Sequence, residues 1–236
     1  MTPFVEAARQ LVHGLRWAEC PTRVLHENRA LVWRHHGLGM LQAELSETLR
    51  IHIWHPELVS SGMAWPRCVH DHRFDITSAV VVGSIIDVPH TVRLDVETRG
   101  TWAEARAASW QAIRVYSIKH AKEQDRAIVN GGTTAISAKC LGSGRVDRLL
   151  ETRHGAGTWY VIGRREFHTT LIDELAITVV HRSNFDDRLA RVLCAPDSDV
   201  TAVSGIVRDE SLEHRILINW VLREASDAIA NMKGTP

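Results

Sequence analysis

The chain has 236 residues, of which 44% are hydrophobic and 24% charged, enough apolar material for a sizeable core and outside the range of disordered chains. Lys+Arg and Asp+Glu both total 28, so the formal charge is zero and the cation excess that phosphate binding needs is missing. No nucleic-acid partner is expected.

The first predicted element spans residues 3 to 17. It places Phe4, Val5, Ala8, Leu11, Val12 and Leu15 at helical spacing behind the start signal Thr2-Pro3. Its charges lie within the apolar stretch, unlike those of a signal peptide. From residue 38 the period falls to two: "LGMLQAELS" and "TLRIHIWHP" read as strands, the second closed by Pro56. A loop follows, then a strand over 67 to 72, the apolar run "ITSAVVVGSII", and alternating strands at "HTVRLDVET" and "SWQAIRVYSI".

Residues 119 to 147, polar and dotted with glycine, read as a surface insertion. Strands at "GTWYVIG" and "ELAITVVHRS" flank the turn "RREFH", and "SLEHRILINWVLREASDAIANM" reads as an amphipathic helix. The expected organisation is a helical extension over 1–37, a β-barrel over 38–190 and a helical extension over 191–236. Strands at this density suggest a barrel or sandwich rather than a βαβ sheet. No apolar run approaches the roughly 18–20 residues of a membrane helix. The four cysteines (Cys20, Cys68, Cys140, Cys194) are widely separated, which fits reduced thiols. A cytoplasmic protein with no membrane contact is expected.

Two histidines in "VHDHRFDITSAVVVGSI" stand out. His70 and His72, as residues i and i+2 of a strand, share a face and can aim ring nitrogens at one point. His168, at the end of "GTWYVIGRREFH", is the candidate third ligand. Neutral imidazoles suit iron, zinc, copper or nickel, and three protein ligands leave open positions, the catalytic rather than the structural arrangement.

Nearby residues carry weaker readings. Arg50, His52 and Trp54 share a strand face; Arg50 can grip a carboxylate or phosphate, and His52 can line a pocket. Trp159 and Tyr160 straddle the strand that leads to His168, so one of them faces the cavity. His181, on the following strand, is the candidate for proton handling. Asp75 is an alternative carboxylate ligand, and Asp71, on the opposite face, is a hydrogen-bond partner between strands. Arg73, Arg165 and His154 read as surface residues.

The two histidine stretches resemble the paired motifs of the cupin superfamily. His70, His72 and Gly83 match the first motif, whose glutamate slot holds Ile76 or Thr77 instead. Gly157 and His168 match the second motif, with Gly163 at the proline slot, Arg165 at the second glycine and Ile172 at the asparagine. H-D-H without the glutamate looks like the thiol dioxygenase branch, whose enzymes hold ferrous iron on three histidines and leave a face open for substrate and oxygen. The cysteine of the animal cysteine enzymes is replaced at Ile76 or Thr77, and of their Ser-x-His-x-Tyr triad, which would fall at Val179, His181 and Ser183, only the histidine is kept, so the resemblance speaks for the metal more than for cysteine as substrate.

What the resemblance implies is a mainly β, cupin-type double-stranded β-helix (jelly-roll) barrel with N- and C-terminal helices. It would be a mononuclear non-haem Fe(II) dioxygenase acting on a small molecule and O2, without 2-oxoglutarate or any organic cofactor. The alternatives are a hydrolase, lyase or isomerase using Zn, Mn or Ni, and a non-catalytic ligand-binding cupin. By analogy, a homodimer through edge strands is the expected assembly.

Overall fold

Residues with period-two patterning have become strands in a computed structural model that describes residues 2–14, 23–26, 29–36, 38–58, 69–94, 111–120, 136–195 and 211–232. Helix α1 (Pro3–Gly14) is followed by β1 (Arg23–His26), β2 (Arg29–Val32), β3 (Arg34–His36), β4 (Met40–Glu44) and β5 (Leu49–Trp54). Next come β6 (Asp75–Val82), β7 (Ser84–Leu94), β8 (Gln111–His120), β9 (Ile136–Arg148) and β10 (Thr152–Gly155). β11 (Trp159–Ile162), β12 (Phe167–Leu171), β13 (Ala176–Ser183), β14 (Ala190–Cys194) and α2 (Leu212–Met232) complete the described elements.

The strands form curled antiparallel sheets. The first is ordered β11-β6-β13-β5-β4-β3; the second runs β10-β7-β9-β8-β14, with β12 also on β7; β1 and β2 pair separately. One face of the first sheet, including Ile51, Ile53, Ala79, Val81, Ile177 and Val179, packs against Val5, Ala8 and Val12 of α1 and Val221, Leu222 and Ala225 of α2. Each large aliphatic side chain so buried contributes roughly 1.5–3 kcal/mol, which holds both helices to this face. The alternate residues point the other way: Trp54, Val80 and Ala176 pack with Ile85 of β7, and Ile76, Ile162 and Val180 pack together.

The second sheet closes through the segment that carries the histidines. His70 bridges β12 at His168 and β14 at Val192. Pairing therefore runs round a circuit: β12, β7, β9, β8, β14, then His70 and back to β12. Val69, Ile113, Val115, Val146, Phe167 and Leu193 pack together within it. At Gly83 the chain passes from the first sheet to the second with φ 67°, and an added Cβ would lie 2.1 Å from the Leu175 carbonyl oxygen. Only glycine meets both conditions.

Four sequence expectations need correction. Residues 69–72 are a bridging segment with two isolated β-bridges, both at His70, rather than a strand; residues 67 and 68 lie outside the described residues. The supposed surface insertion contains β9, which pairs with both β7 and β8; 121–135 lie outside the described residues. Gly144 serves close packing, since a Cβ there would meet the Arg93 carbonyl oxygen at 2.3 Å, whereas Gly142 takes φ 148°, a conformation that favours glycine. The N-terminal stretch holds β1, β2 and β3 as well as a helix that ends at Gly14, because apolar residues from Val24 onward pair in extended form. The C-terminal stretch begins with β14, which completes the circuit, before α2.

Among the described residues, no helix is long and apolar enough to cross a membrane. Cys140 and Cys194 are not in disulfides, and Cys20 and Cys68 lie outside the described residues.

Candidate metal centre

The 69–72 segment is pinned by its backbone. His70 and His168 exchange N–H···O bonds of 3.1 and 2.9 Å, Asp71 N–H donates to the Arg191 carbonyl at 2.9 Å, and the His72 carbonyl accepts from Arg165 N–H at 3.0 Å. Asp71 is only 1% exposed and turns away from the histidines. Its carboxylate accepts from Arg191 N–H at 2.5 Å and Arg191 Nε at 2.7 Å, with Arg165 Nη1 at 3.8 Å. Burial pushes the Asp71 carboxyl upward, and Arg191 and Arg165 oppose that shift. Asp71 thus holds the loop, as its offset from the His70/His72 face suggested.

With the loop fixed, three imidazoles meet. One ring nitrogen from each of His70, His72 and His168 lies within 4.8 Å of the others. The His70 ring centroid is 4.7 Å from those of both His72 and His168, and the His72–His168 separation is 5.2 Å. His72 Nε2 and His168 Nε2 are 3.0 Å apart. Nitrogens at about 2.1 Å from a common ion lie roughly 3.0–3.4 Å from each other, so this pair already has the spacing of adjacent ligands.

The second partner of His168 decides its tautomer. His168 Nδ1 lies 3.0 Å from Asp87 Oδ1. A proton on Nδ1 donated to that carboxylate leaves the Nε2 lone pair free to face the cluster. His72 is held neutral: burial, then His70, His168, His52 and His36, push its pKa well below the usual imidazole value. Its ring stacks on Phe74 with centroids 5.3 Å apart. His72 and His168 thus turn their Nε2 atoms to one point beside the buried His70, a donor set that suits a divalent cation.

The pocket wall is the inner face of the first sheet. His52 pairs in register with Thr178 and Gln42, and Arg50 with Val180 and Glu44. His52 is buried and close enough to act on His72 electrostatically. Trp54 Nε1 donates to Thr178 Oγ1 at 3.3 Å. Arg50 Nη2 is taken by Glu44 Oε1 at 2.6 Å. Tyr160 faces inward, packing with Val80 and Ile162 and stacking on His154 at 4.4 Å; burial pushes its phenol pKa upward.

Two predicted site residues are not brought to the cluster. Trp159, 47% exposed, lies on the opposite face of β11 from Tyr160. His181 shares the strand face of Ile177 and Val179, which pack on the helix side, so it is turned from the histidines. Asp75 is not a ligand either: its carboxylate accepts from Asn184 Nδ2 at 2.6 Å and from Arg164 N–H at 2.7 Å.

Sequence reasoning missed Asp87 and Phe74. Asp87 had one signal, an acid at alternate spacing between Ile85 and Pro89 in an apolar strand. Its partner became visible only through the β7–β12 register, which sets Asp87 opposite Thr170 and two pairs from His168, on the same face. No family model and no curated protein matches the chain.

Proposed function

We propose that the chain is a cupin-type, mononuclear non-haem iron(II) dioxygenase acting on a small molecule held at the open face of a three-histidine site. The observation that carries this reading is the convergence of His70, His72 and His168, with no carboxylate in the set among the described residues. Backbone conformation supports the cupin kinship. The positions where the paired motifs carry glycine are Gly83, Gly157 and Arg165, with φ values of 67°, 87° and 69°. A left-handed arginine costs about 1–2 kcal/mol, so the turn demands the conformation whatever residue fills it.

Bound ferrous iron supplies redox chemistry and open positions for a substrate heteroatom and dioxygen. The chain's own residues do the rest. Asp87 orients His168, Asp71 and Arg165 fix the His70/His72 loop, and Tyr160, Trp54 and Phe74 supply apolar walls that limit water. Three neutral ligands leave the cation its full charge, which favours an anionic substrate group over a neutral one.

The test is anaerobic purification with metal analysis, followed by oxygen uptake against a panel of small thiols and amines. Iron near one equivalent and metal-dependent oxygen consumption are expected. Tight zinc that iron does not replace would overturn the dioxygenase reading in favour of hydrolytic or lyase chemistry, in which a metal-bound water is acidified.

A further inference from the structure

The outward side of α2 carries a feature independent of the histidine cluster. Ser211 caps the helix, its Oγ accepting from His214 N–H at 3.1 Å. Val221, Leu222, Ala225 and Ile229 bury the inner side of α2 in the core beneath it. That packing decides which residues turn outward. Leu212, Ile216 and Trp220, four residues apart, form an outer stripe, and they are 67%, 57% and 39% exposed. Glu213, Arg223 and Asp227, all exposed, lie beside it. Single exposed leucines are ordinary, but large apolar side chains in one unbroken stripe mark a contact surface.

Trp220 is held in place. Its indole meets the His55 ring edge-on with centroids 4.7 Å apart. His55 is itself fixed, Nδ1 accepting from Glu57 N–H at 3.2 Å and Nε2 donating to Glu224 Oε2 at 3.1 Å. A rigid, partly exposed tryptophan is well suited to anchor a protein–protein contact, because little freedom is lost when it is covered.

The charges beside the stripe select the occupant. Among the described residues neither Glu213 nor Arg223 has an ion pair, whereas the neighbouring Glu224 has His55. Glu213 and Arg223 stand about 15 Å apart along the axis, and their midpoint, the level of Ile218, is also the midpoint of Ile216 and Trp220. A second α2 laid antiparallel across a two-fold axis at that level meets the first in two ways at once. Ile216 falls on the partner's Trp220, and Glu213 falls on the partner's Arg223, each contact occurring twice. A parallel pair would instead set like charges face to face. A lipid surface fits poorly, because two acids and one cation flank the stripe where anionic headgroups call for a cationic flank.

We propose that α2 is a homodimer interface, through which two copies of this chain pair antiparallel by Leu212, Ile216 and Trp220, with reciprocal Glu213–Arg223 ion pairs setting the register. The contact is isologous and closes at two copies. One helix face is a small interface, so the dimer forms in the micromolar range.

The test is sedimentation equilibrium of the full chain over about 1 to 200 µM, which brackets the affinities of small interfaces. The wild type should pass from monomer mass to dimer mass. Ile216→Glu and Trp220→Glu should each weaken association at least about tenfold. Glu213→Arg alone and Arg223→Glu alone set like charges together and should each weaken it about three- to tenfold, and the double variant should return close to the wild type. All four side chains are exposed, and the melting temperature of each variant checks that it folds. Should Trp220→Glu not fold, Ile216→Glu and the charge swap decide. A wild type that stays monomeric throughout overturns the interface, and its co-sedimentation with neutral or anionic vesicles would assign the stripe to a lipid surface instead. A dimer undiminished by Ile216→Glu lies elsewhere on the molecule and overturns it as well. A double variant no better than either single one overturns the antiparallel pairing.

Discussion

Asp87 illustrates how one carboxylate sets the chemistry of a ring 81 positions away: by accepting from His168 Nδ1 it commits Nε2 to the cluster. Asp87→Asn keeps the shape and removes the charge. A roughly 10–100-fold loss of metal affinity is expected, measured by competition with a chromophoric chelator. The same neutral environment gives the metal-free protein a pH dependence. Burial pushes His52 well below its ordinary pKa of 6.5 and takes His90 down to about 4. In the unfolded chain both protonate as pH falls through about 6.5, so the unfolded state binds more protons and folding loses stability from there down toward pH 4. Chelator-treated protein should therefore unfold at lower denaturant concentration at pH 5 than at pH 7. An unchanged midpoint would contradict the burial of these rings.

Among the elements, the 69–72 segment is the one on which the site hangs, and it has little regular structure of its own. Its position comes from backbone bonds to β12 and β14 and from the Asp71–Arg191 pair. Asp71→Ala strands the Arg191 guanidinium and is expected to cost about 3 kcal/mol in equilibrium unfolding, together with reduced metal uptake. The histidines themselves were legible in the sequence because an i, i+2 pair and a distant third imidazole need only local spacing to be noticed. Asp87 was not, since its meaning depends on strand register and on which face of β7 turns inward. The same reason explains the misplacement of His181: alternation put it with Ile177 and Val179, a face that only helix packing identifies. The β9 strand was hidden because Gly142 and Gly144 look like loop residues; in the strand Gly142 takes φ 148° and Gly144 lets the Arg93 backbone approach closely.

At the scale of the whole molecule, two curled sheets share one inner space, and the helices seal the outer face of the first. A ligand that joins His168 on β12 to the 69–72 segment cross-links the closing point of the second sheet, so binding and folding are coupled. Metal at about 100 times its dissociation constant adds roughly 2.7 kcal/mol, which for a chain of this size raises Tm by about 5–10 °C. Scanning calorimetry with and without added Fe(II), under anaerobic conditions, should show that rise in the wild type and not in His168→Ala. The most direct test of the central claim is metal stoichiometry, by elemental analysis, in folded His70→Ala, His72→Ala and His168→Ala proteins beside the wild type. The account predicts close to one equivalent in the wild type and a large loss in each variant; full occupancy in all three variants would contradict it.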